Sequence, residues 1–292
     1  MKTKNITVVT SSKNRTENLI KSISSCEKID RINNHFVLDF DSDENIEIDN
    51  KNITIFRIEN EPIYWASRAY NALFNEVKTE YILKIDADTK INSSYFNELK
   101  YDQYDLVVFE LNNNDPGNFL VKKEFIDKVN GFNEYIWSWG YEDHDLIQRI
   151  ESTKAKVLYT KNIIQKIEHS DRFRARVKTS KIFKDQDLFF YSLTKAYNDA
   201  NGFLSHKNLW SKNNDLQYIH RLNEIEIKHF YDIRNLPLNI KYQYKYYVLK
   251  YFFKIYYQKN LILKKFTPSI LFLLPEKMIY KFFSIRIFVY KK

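Results

Sequence analysis

Gly131–Arg149, GFNEYIWSWGYEDHDLIQR, is the stretch from which the fold is read. Leu146, Ile147 and Ile150 recur at helical spacing, so a helix is predicted to begin near Glu142, with Glu142, Asp143 and Asp145 in its first turn. Free backbone N–H groups there favour anions. The carboxylates are therefore expected at a structural edge, ionised and turned outward. Trp137 and Trp139 just before them offer flat apolar faces of the kind that stack on sugar rings, and carboxylates accept hydrogen bonds from sugar hydroxyls. That pairing suits a carbohydrate site. The plain alternative is that the acids only cap a helix and satisfy its dipole.

Upstream, strands alternate with helices. Ile6 to Thr10 reads as a buried strand, followed by the polar loop Ser11 to Arg15 and a helical pattern on Leu19, Ile20 and Ile23. His35 to Asp39 gives a second strand, ending in the acidic run Asp39, Asp41, Asp43; Ile53 to Ile58 gives a third. Trp65 to Val77 places Ala66, Ala69, Tyr70, Leu73, Phe74 and Val77 on one helical face, and the strand Tyr81 to Ile85 ends in Asp86-Ala-Asp88. Leu106 to Glu110 and Phe119 to Val121 read as strands, and Glu124 to Val129 as a short helix. Downstream of the opening stretch, Lys156 to Tyr159 and Ile163 to Ile167 read as short strands, with His169 after the second. The alternation predicts an α/β fold with a mostly parallel sheet flanked by helices, whose ligands bind beyond the carboxyl ends of the strands. Asp39, Asp86, Asp88 and His169 occupy such ends. Two carboxylates one residue apart present oxygen ligands to a divalent cation, and a strand-ending histidine adds a nitrogen, a mixed set that Mn²⁺ accepts. A chance Asp-x-Asp and a merely solvated His are the alternatives.

The totals narrow the classes. The chain has 292 residues with 44% hydrophobic content, enough for a real core, and four Gly and five Pro argue against a repetitive or disordered polymer. A single cysteine, Cys26, excludes an internal disulfide framework and fits a reducing compartment. Met1 to Asn5 leads straight into a strand, leaving no room for a signal-peptide core, so a cytoplasmic location is expected. Charge is uneven. Residues 241 to 292 hold eleven Lys and one Arg against one Glu, a net of +11, which leaves the first 240 residues at −2 of the total +9.

Four segments resemble, in order, glycosyltransferases of the GT-A fold, specifically the β-1,4-galactosyltransferase type with its bacterial galactosyltransferase-like and chondroitin-polymerase-like relatives. They are Lys13-Asn-Arg15-Thr-Glu-Asn-Leu19, Asp86-Ala-Asp88, Gly131-Phe132 with Trp139-Gly-Tyr-Glu-Asp-His-Asp145, and Glu168-His169-Ser170. The resemblance covers residues 1 to about 180. It implies a UDP-sugar donor and Mn²⁺ (or Mg²⁺), with Asp88 and His169 as metal ligands and Asp86 on the metal or the ribose. It further implies Asp143 as general base, and Thr10, Ser11, Asn14, Arg15, Asp39, Arg68 and Asn71 on the nucleotide sugar. Glu142, Trp139, Gly140, Tyr141 and His144 would shape the sugar sites. The chain departs at Lys166, which stands where the family has a methionine ligand and cannot itself ligate as an ammonium. An inactive relative that only binds nucleotide sugar or membrane is the competing function.

Residues 1–180 are thus expected to form the catalytic domain and 181–292 a helical region, with Gln186 to Asn198 and Leu216 to Ile233 as helices. The basic aromatic segment 241–292 is too studded with Lys to span a bilayer. It suits either packing on the domain with snorkelling lysines or contact with an anionic membrane surface. The expected partners are the nucleotide sugar and a glycan or lipid-linked glycan acceptor at the inner face of a cell membrane. No nucleic-acid module is present.

Overall fold

The computed structural model describes residues 5–61, 64–111, 116–136, 140–168, 187–206, 217–221, 224–228 and 238–259. The chain runs β1 (Ile6–Ser12), α1 (Thr16–Cys26), β2 (Ile32–Phe40), β3 (Ile53–Glu59), α2 (Ala66–Glu76), β4 (Tyr81–Lys84), β5 (Thr89–Ile91) and α3 (Ser93–Glu98). It continues through β6 (Leu106–Glu110), β7 (Asn118–Lys122), α4 (Lys123–Lys128), α5 (Glu142–Ser152), β8 (Val157–Lys161) and β9 (Ile164–Lys166). Then come α6 (Asp187–Ser205), β10 (Gln217–Arg221), β11 (Glu224–Lys228) and α7 (Leu238–Lys259).

One compact unit holds residues 1–178 and 209–231. Its main sheet has the order β10-β11-β3-β2-β1-β4-β7-β6-β8, parallel from β11 to β4 and antiparallel where β7 enters. β1 is buried along its whole length and β2 through Val37–Phe40, and α1 turns Leu19, Ile23 and Cys26 inward while Ile20 is left exposed. Strand order reverses between β1 and β4. In open α/β sheets such a switch point, beyond the strands' carboxyl ends, is where ligands bind.

Leu216 to Ile233, expected as a helix, instead contains the β10–β11 hairpin, which adds to β3 through a parallel pairing of β11. The period-two pattern Glu-Ile-Glu-Ile at 224–227 is the strand signal that outweighs the helical one. A second unit holds residues 179–208 and 232–292. Within it α7 turns Ile240, Tyr244, Val248 and Phe252 inward at four-residue spacing, and Tyr244 donates to Asn201 of α6 at 2.6 Å. The described part of the basic tail thus uses its apolar stripe for packing, while residues 260–292 lie outside the description. Among the described residues no helix is long and apolar enough to cross a membrane.

Candidate active site

Lys84 is the centre of a side-chain cluster at this switch point. It is the last residue of β4, only 2% exposed, and its ammonium lies 3.0 Å from Asp86 Oδ1 and 3.1 Å from Asp143 Oδ1, over the ring of Tyr70 at 4.5 Å. It also donates to the Gly117 carbonyl. A buried ammonium is tolerated only when paired. Burial alone would lower its pKa, but Asp143 and Asp86 together hold it above the ordinary lysine value.

The two carboxylates diverge. Asp86 accepts a second bond from Tyr70 at 3.0 Å, and its backbone N–H donates to Asn118 Oδ1 at 2.8 Å. Desolvation works against its charge, yet Lys84 and Tyr70 bring its pKa below the usual carboxylate value, and its side chain remains 37% exposed. Asp143, with a side chain 17% exposed, is pushed well above the carboxylate range by burial, partly offset by Lys84 and reinforced by Glu142 and Asp86. One carboxylate is kept ionised and its neighbour is made basic.

Asp143 is carried to this point by a clamped loop. Asn71 of α2 donates to the Phe132 carbonyl at 2.9 Å and to Glu134 at 2.8 Å, and accepts from the Phe132 N–H at 2.7 Å. Trp65 and Ser67 both donate to the Ile136 carbonyl, at 3.1 and 2.8 Å. Phe132 sits among Tyr70, Phe74 and Phe119, and Gly131 is required because a Cβ would fall 2.3 Å from Asn71 Oδ1. On the far side Asp145 grips Arg149 at 2.7 Å, and Arg149 donates to the Val129 and Gly131 carbonyls at 2.7 and 2.8 Å. The opening stretch is therefore built inward. Glu142 and Asp145 are buried and Asp143 nearly so, which corrects the expectation of carboxylates turned to solvent: Arg149 and Lys84 supply the charge that water would otherwise give. Tyr141, left-handed at φ 70° and 42% exposed, and His144, exposed with its ring 6.4 Å from that of Tyr141, form the outer lip beside Gly140. Trp137, Trp139 and His169 lie outside the described residues.

Several of the side chains expected at the nucleotide sugar also make contacts within the protein. Thr10 bonds His35 at 2.9 Å, Ser11 donates to the Leu38 carbonyl at 3.4 Å, and Asn14 locks onto Ser42 and Asp43. Asp39 accepts the Ser42 and Ile46 N–H groups and the Arg57 guanidinium. Arg68, 1% exposed, pairs with Glu61 at 3.2 Å and stacks on Trp65; burial raises the Glu61 pKa to about 7 despite that partner. Asn71 is occupied by the 132–134 loop.

Asp88 is 5% exposed, and its Oδ2 lies 3.5 Å from Arg15 and 3.9 Å from Lys166. Lys166 arrives through the antiparallel β5–β9 pair, which sets Thr89 opposite Lys166 and is absent from the sequence expectations. Among the described residues no group of three His, Cys, Asp or Glu could hold a metal ion. Among the described residues, which leave out the expected ligand His169, the donor set does not fit a divalent cation, because each carboxylate of the Asp86–Asp88 turn already faces protein cations. Lys84 and Tyr70 escaped the sequence reading. A lysine inside the apolar strand Tyr81–Ile85 is the signal that could have found Lys84, since such a group must find carboxylates.

Residues 109–173 match a family model described as the N-terminal domain of galactosyltransferase. A search of curated proteins finds no match. Among solved structures, the catalytic domain of Drosophila beta1,4galactosyltransferase 7 complexed with xylobiose shares 14% identity, with 78% of this chain and 95% of that one covered and a TM-score of 0.51. A mutant of that enzyme complexed with manganese, UDP-Gal and xylobiose gives 13% identity, the same coverage of 78% and 95%, and a TM-score of 0.53. S. aureus TarS 1-349 gives 12% identity, coverage of 89% and 75%, and a TM-score of 0.50. At these identities the structural likeness is one of fold. The fold is GT-A-like, a mostly parallel α/β sheet flanked by helices. The segment 109–173, which carries Gly131, Glu142, Asp143 and Lys166, is where the sequence is similar to the galactosyltransferases.

Proposed function

We propose that the protein is an inverting glycosyltransferase that moves a hexose or N-acetylhexosamine, galactose-type by family, from a UDP-sugar to a glycan hydroxyl. One observation carries it: Asp143, made basic by burial, faces Asp86 across Lys84 at the switch point of the sheet. In a single displacement the acceptor oxygen attacks the anomeric carbon, Asp143 takes its proton, and the bond to the diphosphate breaks on the opposite face. Such a base is worth about 10²- to 10⁴-fold in rate. Arg15 and Asp86 face the nucleotide side; Glu142, Gly140, Tyr141 and His144, with Trp139 before them, border the sugars. The +11 charge of residues 241–292 supports an acceptor presented at an anionic membrane face, such as a lipid-linked glycan of a bacterial surface polysaccharide.

The test is stereochemical. With UDP-galactose, UDP-N-acetylgalactosamine or UDP-glucose and a glycoside acceptor, proton NMR of the product is expected to give a β-linkage from the α-linked donor. An α-linked product would remove the single displacement and with it the role of Asp143.

A further inference from the structure

We propose that Lys166 and Arg15 take the place of a divalent cation at the donor's diphosphate, so that the protein binds and cleaves its nucleotide sugar without a metal. The proposal rests on the nucleotide-sugar function above and deepens it. Four carboxylates meet at this site, Asp86, Asp88, Glu142 and Asp143, and three cations meet them, Lys84, Arg15 and Lys166. At Asp88 itself one carboxylate faces two cations, Arg15 and Lys166. A divalent ion at Asp88 would have to enter beside both the guanidinium and the ammonium, whereas a diphosphate entering there meets two cations of opposite sign to its own.

The position of Lys166 is set by backbone and not by chance rotamers. β5 follows the Asp86–Asp88 turn directly, pairs Thr89 with Lys166, and the Ile167 N–H donates to the Asp88 carbonyl at 2.7 Å. Lys166 is 53% exposed, so its ammonium sits at the open side of Asp88, with three donors on a flexible stem. Arg15 approaches the same carboxylate from the loop after β1, and its planar guanidinium matches phosphate oxygens. In the transfer step the bond between the anomeric carbon and the phosphate oxygen breaks, and its electron pair leaves on UDP. The negative charge that grows there is met by Lys166 and Arg15. The acceptor oxygen forms the new bond to the anomeric carbon and gives its proton to Asp143.

The experiment is calorimetric titration of UDP into the full chain, in EDTA and then with Mn²⁺, for the native protein and for Lys166→Met and Lys166→Arg, with circular dichroism as the check on folding. The native protein is expected to bind UDP in EDTA to within about threefold of its affinity with Mn²⁺; Lys166→Met is expected to lose about tenfold or more in EDTA, and Lys166→Arg to retain most of the binding. UDP binding by the native protein only with Mn²⁺ would overturn the inference and leave the proposed function standing. Native-like binding by Lys166→Met in EDTA would remove Lys166 from the role. No UDP binding under either condition would instead overturn the proposed function itself.

Discussion

Asp39 and Asp86 each close a buried strand and each open an Asp-x-Asp pattern, yet their surroundings are opposite. Asp39 is 1% exposed, enclosed by the N–H groups of its own loop at Ser42 and Ile46 and by Arg57 on the adjacent strand, while Asp41 meets Lys13. Asp86 and Asp88 meet cations from three separate places, the end of β4, the loop after β1 and β9, and Asp86 keeps 37% of its side chain exposed. An acidic turn is structural when nearby backbone donors consume its oxygens. It becomes a site when groups distant in sequence converge on it and one face stays open to a ligand.

The contrast can be broken by substitution. Asp143→Asn, on the side of the Asp86 cluster, is expected to cut kcat by about 10²- to 10⁴-fold with donor KM near native, measured under conditions where circular dichroism is unchanged. A KM effect without a kcat effect would contradict the base assignment. Asp39→Asn, on the structural side, is expected to cost about 3 kcal/mol in urea unfolding, because Arg57 loses its partner, and to leave kcat of the folded fraction near native. A stable Asp39→Asn protein with lost turnover would reverse the comparison.

Gly131→Ala sharpens the link between the clamped loop and Asp143. The new Cβ would meet Asn71 Oδ1 at 2.3 Å with φ at +69°, so about 2 kcal/mol of stability should be lost, with turnover falling further than donor binding. The smallest effect belongs to His35, on the same strand as Asp39. Burial lowers its pKa from 6.5 to about 3, so below pH 6.5 the unfolded chain takes up a proton that the native state refuses. Stability should therefore fall as pH drops from 6.5 toward 3, amounting to about 1 kcal/mol at pH 5.5. His35→Gln should flatten that fall in urea midpoints measured between pH 6.5 and 5; an unchanged slope would assign it to other groups.

The α/β architecture was legible because strand and helix periods alternate cleanly through residue 167, and spacing and family pattern drew attention to Gly131, Asp86, Asp88 and Asp143. What escaped was what depends on partners distant in sequence. Lys84 looks like an anomaly within a strand until Asp143, carried by a loop some sixty residues later, comes to face it. Thr10, Ser11, Asn14, Asp39 and Asn71 were expected at the nucleotide sugar, but sequence does not show their internal hydrogen bonds to residues distant along the chain. The β5–β9 pair is only three residues long on each side, too short to show a period, and it is what brings Lys166 to Asp88.

The central claim, that the Asp86–Asp88–Asp143 cluster is a donor site, is tested most directly by UDP release from a panel of UDP-sugars without acceptor. The native protein is expected to release UDP slowly from one sugar, galactose-type, and Asp143→Asn to bind that sugar while releasing far less. Absence of both binding and release across the whole panel would contradict the claim.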